Sequence, residues 1–299
     1  MSFSSDVKAE LCRAELGVKP CAVAECYGVL LFCNTFSSKE IRIITGSDDF
    51  AARLPRLFTR AFGVGFDEHP GPNERGKRTF GVTRPESMEK ILDAFGYDRQ
   101  IISHHVNLGL LEEDAARESF VRGAFLAGGS VTDPGKRYHL ELVTDHYMVS
   151  REITALFLDM GFEPKTVSRG GNYIMYFKQS AVIEDLLTTI GAPVAAMGIM
   201  SAKIEKDMTN LVNRKVNCDT ANVAKTVEAS AEQLAAIRSL REKNALEGLS
   251  EKLREAARLR EEYPELALSE LAAMVEPPVS KSGLNHRLRK IVEIAKGLE

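Results

Sequence analysis

The chain has 299 residues, 44% of them hydrophobic, which is long and apolar enough to bury more than one core, so two domains are expected. A net charge of −3 excludes a protein coated in basic surface, and no stretch approaches the ~18 uninterrupted apolar residues of a membrane span. The opening residues, Met1 to Pro20, carry Asp6, Lys8, Glu10 and Arg13 in place of an apolar leader, so a cytoplasmic protein is expected.

Taken in chain order, the first long apolar run is Gly28-Val-Leu-Leu-Phe-Cys-Asn-Thr-Phe36, and it returns 95 residues later as Gly123-Ala-Phe-Leu-Ala-Gly-Gly-Ser-Val131. Ile43 to Thr45 then pairs with Leu142 to Thr144, and Leu57-Phe58 with Leu156-Phe157, both at an offset of 99; Glu89 to Leu92 pairs with Glu184 to Leu187 at 95 again. Four ordered blocks with a four-residue insertion that is later undone predict two copies of one unit, about 1–98 and 99–200. Chance similarity between amphipathic segments would explain one such block but explains four poorly.

Each copy reads as helix, strand, turn, helix, strand pair, helix, an α+β unit used twice. In the second copy the predicted helix is Asp114 to Gly128. Strands follow at Tyr138 to Thr144, Lys165 to Ser168 and Tyr173 to Lys178, the last two split by Gly170-Gly171, with helices at Val149 to Met160 and Ala181 to Ile190. The five cysteines (Cys12, Cys21, Cys26, Cys33, Cys218) form no CxxC pair and have no histidine at zinc-finger spacing. Reduced, mostly buried thiols are expected, with no metal and no cofactor. His104-His105 and the other histidines show no ligand spacing either.

From 201 to 226 the composition turns polar, and this segment reads as an Asn-rich interdomain bridge. Asn210, Asn213 and Asn217 fall at i, i+3 and i+7, so a helix would align three amides beside Arg214 and Lys215. Such a face can bind DNA or satisfy an interdomain interface; buried amides fix orientation through hydrogen bonds, which favours the interface. Residues 227–299 are expected to be all-helical: Val227 to Ala245, Ser250 to Glu262 ending before Pro264, and a short helix through Leu268, Leu271, Ala272 and Val275 ended by Glu276-Pro-Pro278.

Ser280 or Ser282 can cap the last helix, whose apolar stripe is Leu284, Leu288, Ile291, Val292, Ala295 and Leu298. Its other face carries Ser282, Asn285, His286, Arg289 and Lys290, with Arg287 on the flank and Lys281 nearer the side. Helix, short turn and helix is the layout that puts a final helix into the major groove of double-stranded DNA. Charge agrees: residues 1–200 hold 22 Lys+Arg against 26 Asp+Glu, a net of −4, whereas residues 277–299 carry +3. A solvated, mildly basic surface helix would show the same periodicity; the compact turn and the position at the end of the chain favour DNA, and the acidic first 200 residues suit a protein partner.

Three segments carry a family resemblance: Arg122-Gly-Ala-Phe-Leu-Ala-Gly-Gly-Ser-Val131, Asn213-Arg-Lys-Val-Asn-Cys-Asp-Thr-Ala-Asn222 and Pro277-Pro-Val-Ser-Lys-Ser-Gly-Leu-Asn-His-Arg-Leu-Arg289. The chain resembles the WhiA family of Gram-positive bacterial regulators over essentially its full length. The resemblance implies a duplicated LAGLIDADG homing-endonuclease-like domain followed by an all-α helix-turn-helix domain. It also implies a role in transcription, sporulation, or cell division and chromosome segregation. In those nucleases two helices pack through small residues and end in acids that hold divalent metal. Gly28, Gly123, Ala124 and Ala127 keep the small surface, but Cys33 and Gly128 stand where the resemblance would put the acids, and neither suits Mg²⁺. Asp133, five residues past Gly128, has no counterpart near Cys33. The resemblance therefore implies a DNA-binding protein that is not an enzyme.

Overall fold

The structure is a computed structural model and describes residues 2–71, 76–97 and 104–298. It comprises two compact units, Met1–Asp207 and Met208–Glu299.

The first unit opens with α1 (Phe3–Arg13), followed by two parallel sets of elements. The first set is α2 (Lys19–Leu31), β1 (Thr35–Phe36), β2 (Ile41–Thr45), α3 (Asp48–Phe62), β3 (Arg78–Val82) and α4 (Pro85–Phe95). The second is α5 (Asp114–Gly128), β4 (Gly129–Val131), β5 (Leu140–Thr144), α6 (Tyr147–Asp159), β6 (Lys165–Arg169), β7 (Asn172–Phe177) and α7 (Ser180–Ile190). The duplication read from the offsets is therefore present as structure. β2 and β5 start 99 residues apart, as do α3 and α6, whereas α4 and α7 start 95 apart. The four-residue difference lies between the first two strands, which are joined by residues 37–40 in one copy and 132–139 in the other.

Each copy builds an antiparallel sheet, ordered β1-β2-β3 and β4-β5-β7-β6. Period-two patterning sets the faces: Ile41 and Ile43 are buried while Arg42 and Ile44 are exposed, and Leu140 and Leu142 are buried opposite Phe177 and Met175. Helices α2 and α5 pack against each other at the centre, and most of α2 is buried. That burial includes Glu25, which no apolar pattern predicts. Its carboxylate accepts from Nε and Nη2 of Arg53 at 2.6 and 2.8 Å, and Arg122 lies 3.4 Å away. Arg53 also donates to the carbonyls of Cys12 and Ala14, so the buried guanidinium ties α1, α2 and α3 together.

The bridge expected at 201–226 is corrected by α8, one helix from Pro193 to Glu242. The helix expected to begin at Val227 is its last part. No Gly or Pro occurs between Gly198 and Gly248, so nothing in the sequence stops the helix once Pro193 has started it. The amides also depart from expectation: Asn210, Asn213 and Asn217 are exposed, as is every residue from 207 to 228.

In the second unit the end of α8 packs with α9 (Glu251–Glu262), α10 (Leu268–Met274) and α11 (Lys281–Lys296). Its core contains Ile237, Leu240, Ala256, Ala257, Leu271, Leu284, Leu288 and Ile291. Arg260 is buried and its partners among the described residues are neutral: it donates to Gln233 Oε1 at 3.0 Å and to the Leu266 carbonyl at 3.0 Å. It thereby holds the connection that leads into α10.

Candidate nucleic-acid interface

The pair α10 and α11 is positioned by its connection. Glu270 accepts from the Ala267 N–H at 3.0 Å at the start of α10, and the Val279 N–H returns to the Ala272 carbonyl at 3.1 Å at its end. Between them the Glu276 N–H donates to Glu255 of α9 at 3.2 Å. Ser280 then caps α11, its hydroxyl accepting from the Gly283 N–H at 3.1 Å. Leu284, Leu288, Ile291 and Ala295 turn inward, and Val292 is half-buried. Leu298, counted in the apolar stripe from its spacing, is exposed: α11 ends at Lys296 and the helical period no longer applies there.

The outward face of α11 presents Lys281, Ser282, His286, Arg289 and Lys290, all exposed, with Asn285 half-buried between them and Ser280. There is no acidic residue in its first turn. Among the described residues no carboxylate pairs with Lys281, Arg289 or Lys290, whereas Lys296 pairs with Glu232. Arg287 differs from its neighbours. It is half-buried and donates to Glu255 at 3.4 Å, so its charge is directed to α9 and the turn. Glu255 was not singled out from the sequence; it sits on α9 among other charged residues, 32 positions from its partner. The resulting face carries three exposed cations: Lys281 in the first turn, where unpaired N–H groups already favour phosphate, and Arg289 and Lys290 about two turns further along.

On α8, Asn210, Asn213, Arg214, Lys215 and Asn217 are exposed and lie within two turns of one another. Helical spacing puts Asn210, Asn213 and Asn217 on one side with Arg214 beside them, while Lys215 falls on a different face.

The positions that the resemblance sets against the nuclease acids have a different character. Cys33 follows the end of α2, and its Sγ lies 3.2 Å from the carbonyls of Leu30 and Thr35. Burial pushes this thiol up to about 12, so it stays protonated at neutral pH and is no ligand for a hard cation. Gly128 ends α5 against Phe32: a Cβ there would lie 2.6 Å from the Phe32 ring and 2.8 Å from the Val143 carbonyl. No side chain, and so no carboxylate, fits at that position without displacing both. Asp133 is exposed and accepts from the Gly135 N–H at 2.8 Å, closing its own turn. No group of three His, Cys, Asp or Glu residues able to hold a metal ion occurs among the described residues.

A duplicated LAGLIDADG-type α+β unit followed by a helix-turn-helix unit is the class of protein that this fold and these positions define. Family models match in the same order: the WhiA LAGLIDADG-like domain over residues 117–209 and the WhiA C-terminal HTH domain over residues 212–295. The chain is 39% identical to the probable cell division protein WhiA of Ruminiclostridium cellulolyticum, across 99% of this chain and 97% of that one. It is 37% identical to the protein of the same name from Clostridium perfringens, across 100% and 98%. The crystal structure of full-length WhiA from Thermatoga maritima matches with a TM-score of 0.61 at 25% identity, covering 99% of this chain and 98% of that one. The chain belongs to the WhiA family.

Proposed function

We propose that this protein is a DNA-binding regulator of transcription that acts in cell division, chromosome segregation or sporulation, with α11 as its reading helix and no nuclease activity. The observation that carries this reading is the outward face of α11, where Lys281, Arg289 and Lys290 are exposed with no carboxylate partner among the described residues while the opposite stripe is buried. Arginine reads guanine bidentately and asparagine reads adenine, so Arg289 and Asn285 are assigned to base edges; Lys281, Lys290 and the capped helix start are assigned to phosphates. Ser280, Ser282 and His286 line the same approach, Arg287 supports it through Glu255, and the exposed Asn210, Asn213, Arg214, Lys215 and Asn217 of α8 supply a second contact surface. Residence in the cytoplasm on the nucleoid follows from this role.

Anisotropy titration of the full chain against labelled duplex DNA tests the reading. Binding that weakens steeply with salt is expected, since each neutralised phosphate releases counterions; no affinity at low salt would overturn it. Chromatin immunoprecipitation distinguishes a few sharp peaks, expected of a transcription regulator, from the broad coverage of a nucleoid or division adaptor working through protein partners.

The absence of nuclease activity is supported by the filled position at Gly128 and the protonated thiol of Cys33. Supercoiled plasmid incubated with Mg²⁺ or Mn²⁺ should remain uncut. Cutting abolished by Asp133→Ala would reassign the protein to the metal-dependent endonucleases, a reading otherwise favoured only by fold.

A further inference from the structure

We propose that the edge of the second sheet, at β6, is a docking site for an acidic extended peptide of another protein, which adds to the sheet as a further strand. β6 is the outermost strand of its sheet among the described residues, and all five of its residues are exposed. The two-residue connection Gly170-Gly171 has positive φ at both positions, 58° and 82°, the geometry of a tight hairpin turn. Such a turn makes the flanking Arg169 and Asn172 a hydrogen-bonded pair, and the alternation along an antiparallel ladder then turns the N–H and C=O of Thr166 and Ser168 outward. Those groups are the donors and acceptors that an added strand needs.

A groove lies beside this edge. It encloses about 430 Å³ between α6 and the β6–β7 hairpin, and its walls include Tyr147, Arg151, Thr166, Ser168 and Tyr173. Register places Thr166 and Ser168 on the face shared with Met175 and Tyr173, so the residues with outward backbone groups are also those that line the groove. Tyr147 and Tyr173 stand 5.3 Å apart, and Tyr147 is 52% exposed although its ring is large and apolar. The combination suits a peptide that pairs through its backbone and inserts alternate side chains.

Charge selects the occupant. Lys165 and Arg169 end the strand, Arg151 lies on the α6 wall 5.9 Å from the Tyr147 ring, and among the described residues no carboxylate lines the groove. A second copy of this chain is disfavoured, because antiparallel pairing of β6 with itself about Val167 sets Lys165 opposite Arg169, like charge against like. An acidic strand meets opposite charge at both ends. This surface is built wholly from the first unit and does not depend on DNA reading by α11.

The probe is a fluorescein-labelled peptide alternating Glu with Val and Tyr, titrated against the full chain. Controls are its Lys-for-Glu counterpart and a single-stranded oligonucleotide of similar length. Saturable binding of the acidic peptide is expected, with about tenfold weaker binding, or more, of the Lys peptide, and the double variant Lys165→Glu, Arg169→Glu should reverse the preference. Hydrogen exchange at the Thr166 and Ser168 amides should slow on binding. Thr166→Pro removes an outward N–H without touching the β6–β7 ladder and should abolish the protection at Ser168; if it fails to fold, wild-type exchange and the charge-reversed variant still decide. The assignment is overturned if the acidic peptide does not bind, if binding ignores charge reversal, or if the amides stay unprotected. It is likewise overturned if the oligonucleotide binds with the same sensitivities, or if sedimentation finds a self-associated chain that charge reversal alters.

Discussion

Gly28 and Gly123 face each other's helices so closely that neither can carry a side chain: a Cβ on Gly28 would lie 2.0 Å from the Phe120 carbonyl oxygen, and one on Gly123 would lie 2.0 Å from that of Glu25. The clash is with backbone in both cases, so no rotamer change relieves it. Gly28→Ala and Gly123→Ala should each force α2 and α5 apart and cost at least the upper part of the ~1–3 kcal/mol usual for overpacking. Denaturant unfolding of the full chain would measure this. A melting profile unchanged by either substitution would mean that the two helices do not approach as described.

The buried Glu25 and Arg53 pair makes the second prediction. Glu25→Ala strands a guanidinium that is 3% exposed, and should destabilise the first unit by about 3–5 kcal/mol. Glu25→Ala combined with Arg53→Met should recover part of that loss, because the uncompensated charge is gone. Chemical denaturation of the three variants tests the order; a double variant less stable than Glu25→Ala alone would contradict it.

On α11, Arg289→Ala should cost about 1–3 kcal/mol on a preferred DNA site and relax the sequence preference. Lys290→Ala should weaken all sequences alike and lower the salt slope by about one unit. Leu288, fully buried, serves as the folding control, since Leu288→Ala should destabilise the unit by roughly 2–5 kcal/mol. Circular dichroism separates loss of fold from loss of contact. Folded Arg289→Ala protein with unaltered affinity and preference would move the reading surface to Arg214 and its neighbours on α8.

His146 supplies a pH dependence. Burial holds its imidazole below the usual histidine value of 6.5, the neighbouring His104, stacked at 4.0 Å, adds to the shift, and Asp145 at 3.2 Å opposes it. The unfolded chain therefore takes up the proton first as the pH falls. Stability from this group is complete above about pH 6.5 and declines as the pH drops below it. The melting temperature should fall between about pH 7 and pH 5, and fall less in His146→Gln. Parallel slopes in the two proteins would remove His146 as the cause.

Much of the first unit was legible as pattern. The helix Asp114–Gly128 and the strands around Gly170-Gly171 follow from apolar period and from glycines that punctuate the chain. The stripe Leu284, Leu288, Ile291, Ala295 is equally local, as is the cap at Ser280. Such features depend on residues within a turn or two of each other, which is the range over which backbone period and capping act. The short strand β4 at the end of α5 was not legible, since three residues carry no period.

What the sequence by itself determined, then, is the duplication, most element types of the first unit and the concentration of basic charge in residues 277–299. Only the tertiary structure decided the long-range choices. A polar run such as 201–226 reads alike as linker or exposed helix; the structure makes it part of α8, with every residue from 207 to 228 exposed. Arg287 and Arg289 are indistinguishable as residue types two positions apart, yet Glu255 on another helix engages the first and leaves the second exposed. Glu25 finds Arg53 28 positions away, and Phe32 fills the space at Gly128. These pairings are set by where helices cross, a geometry fixed by packing of the whole unit and carried by no local stretch of sequence.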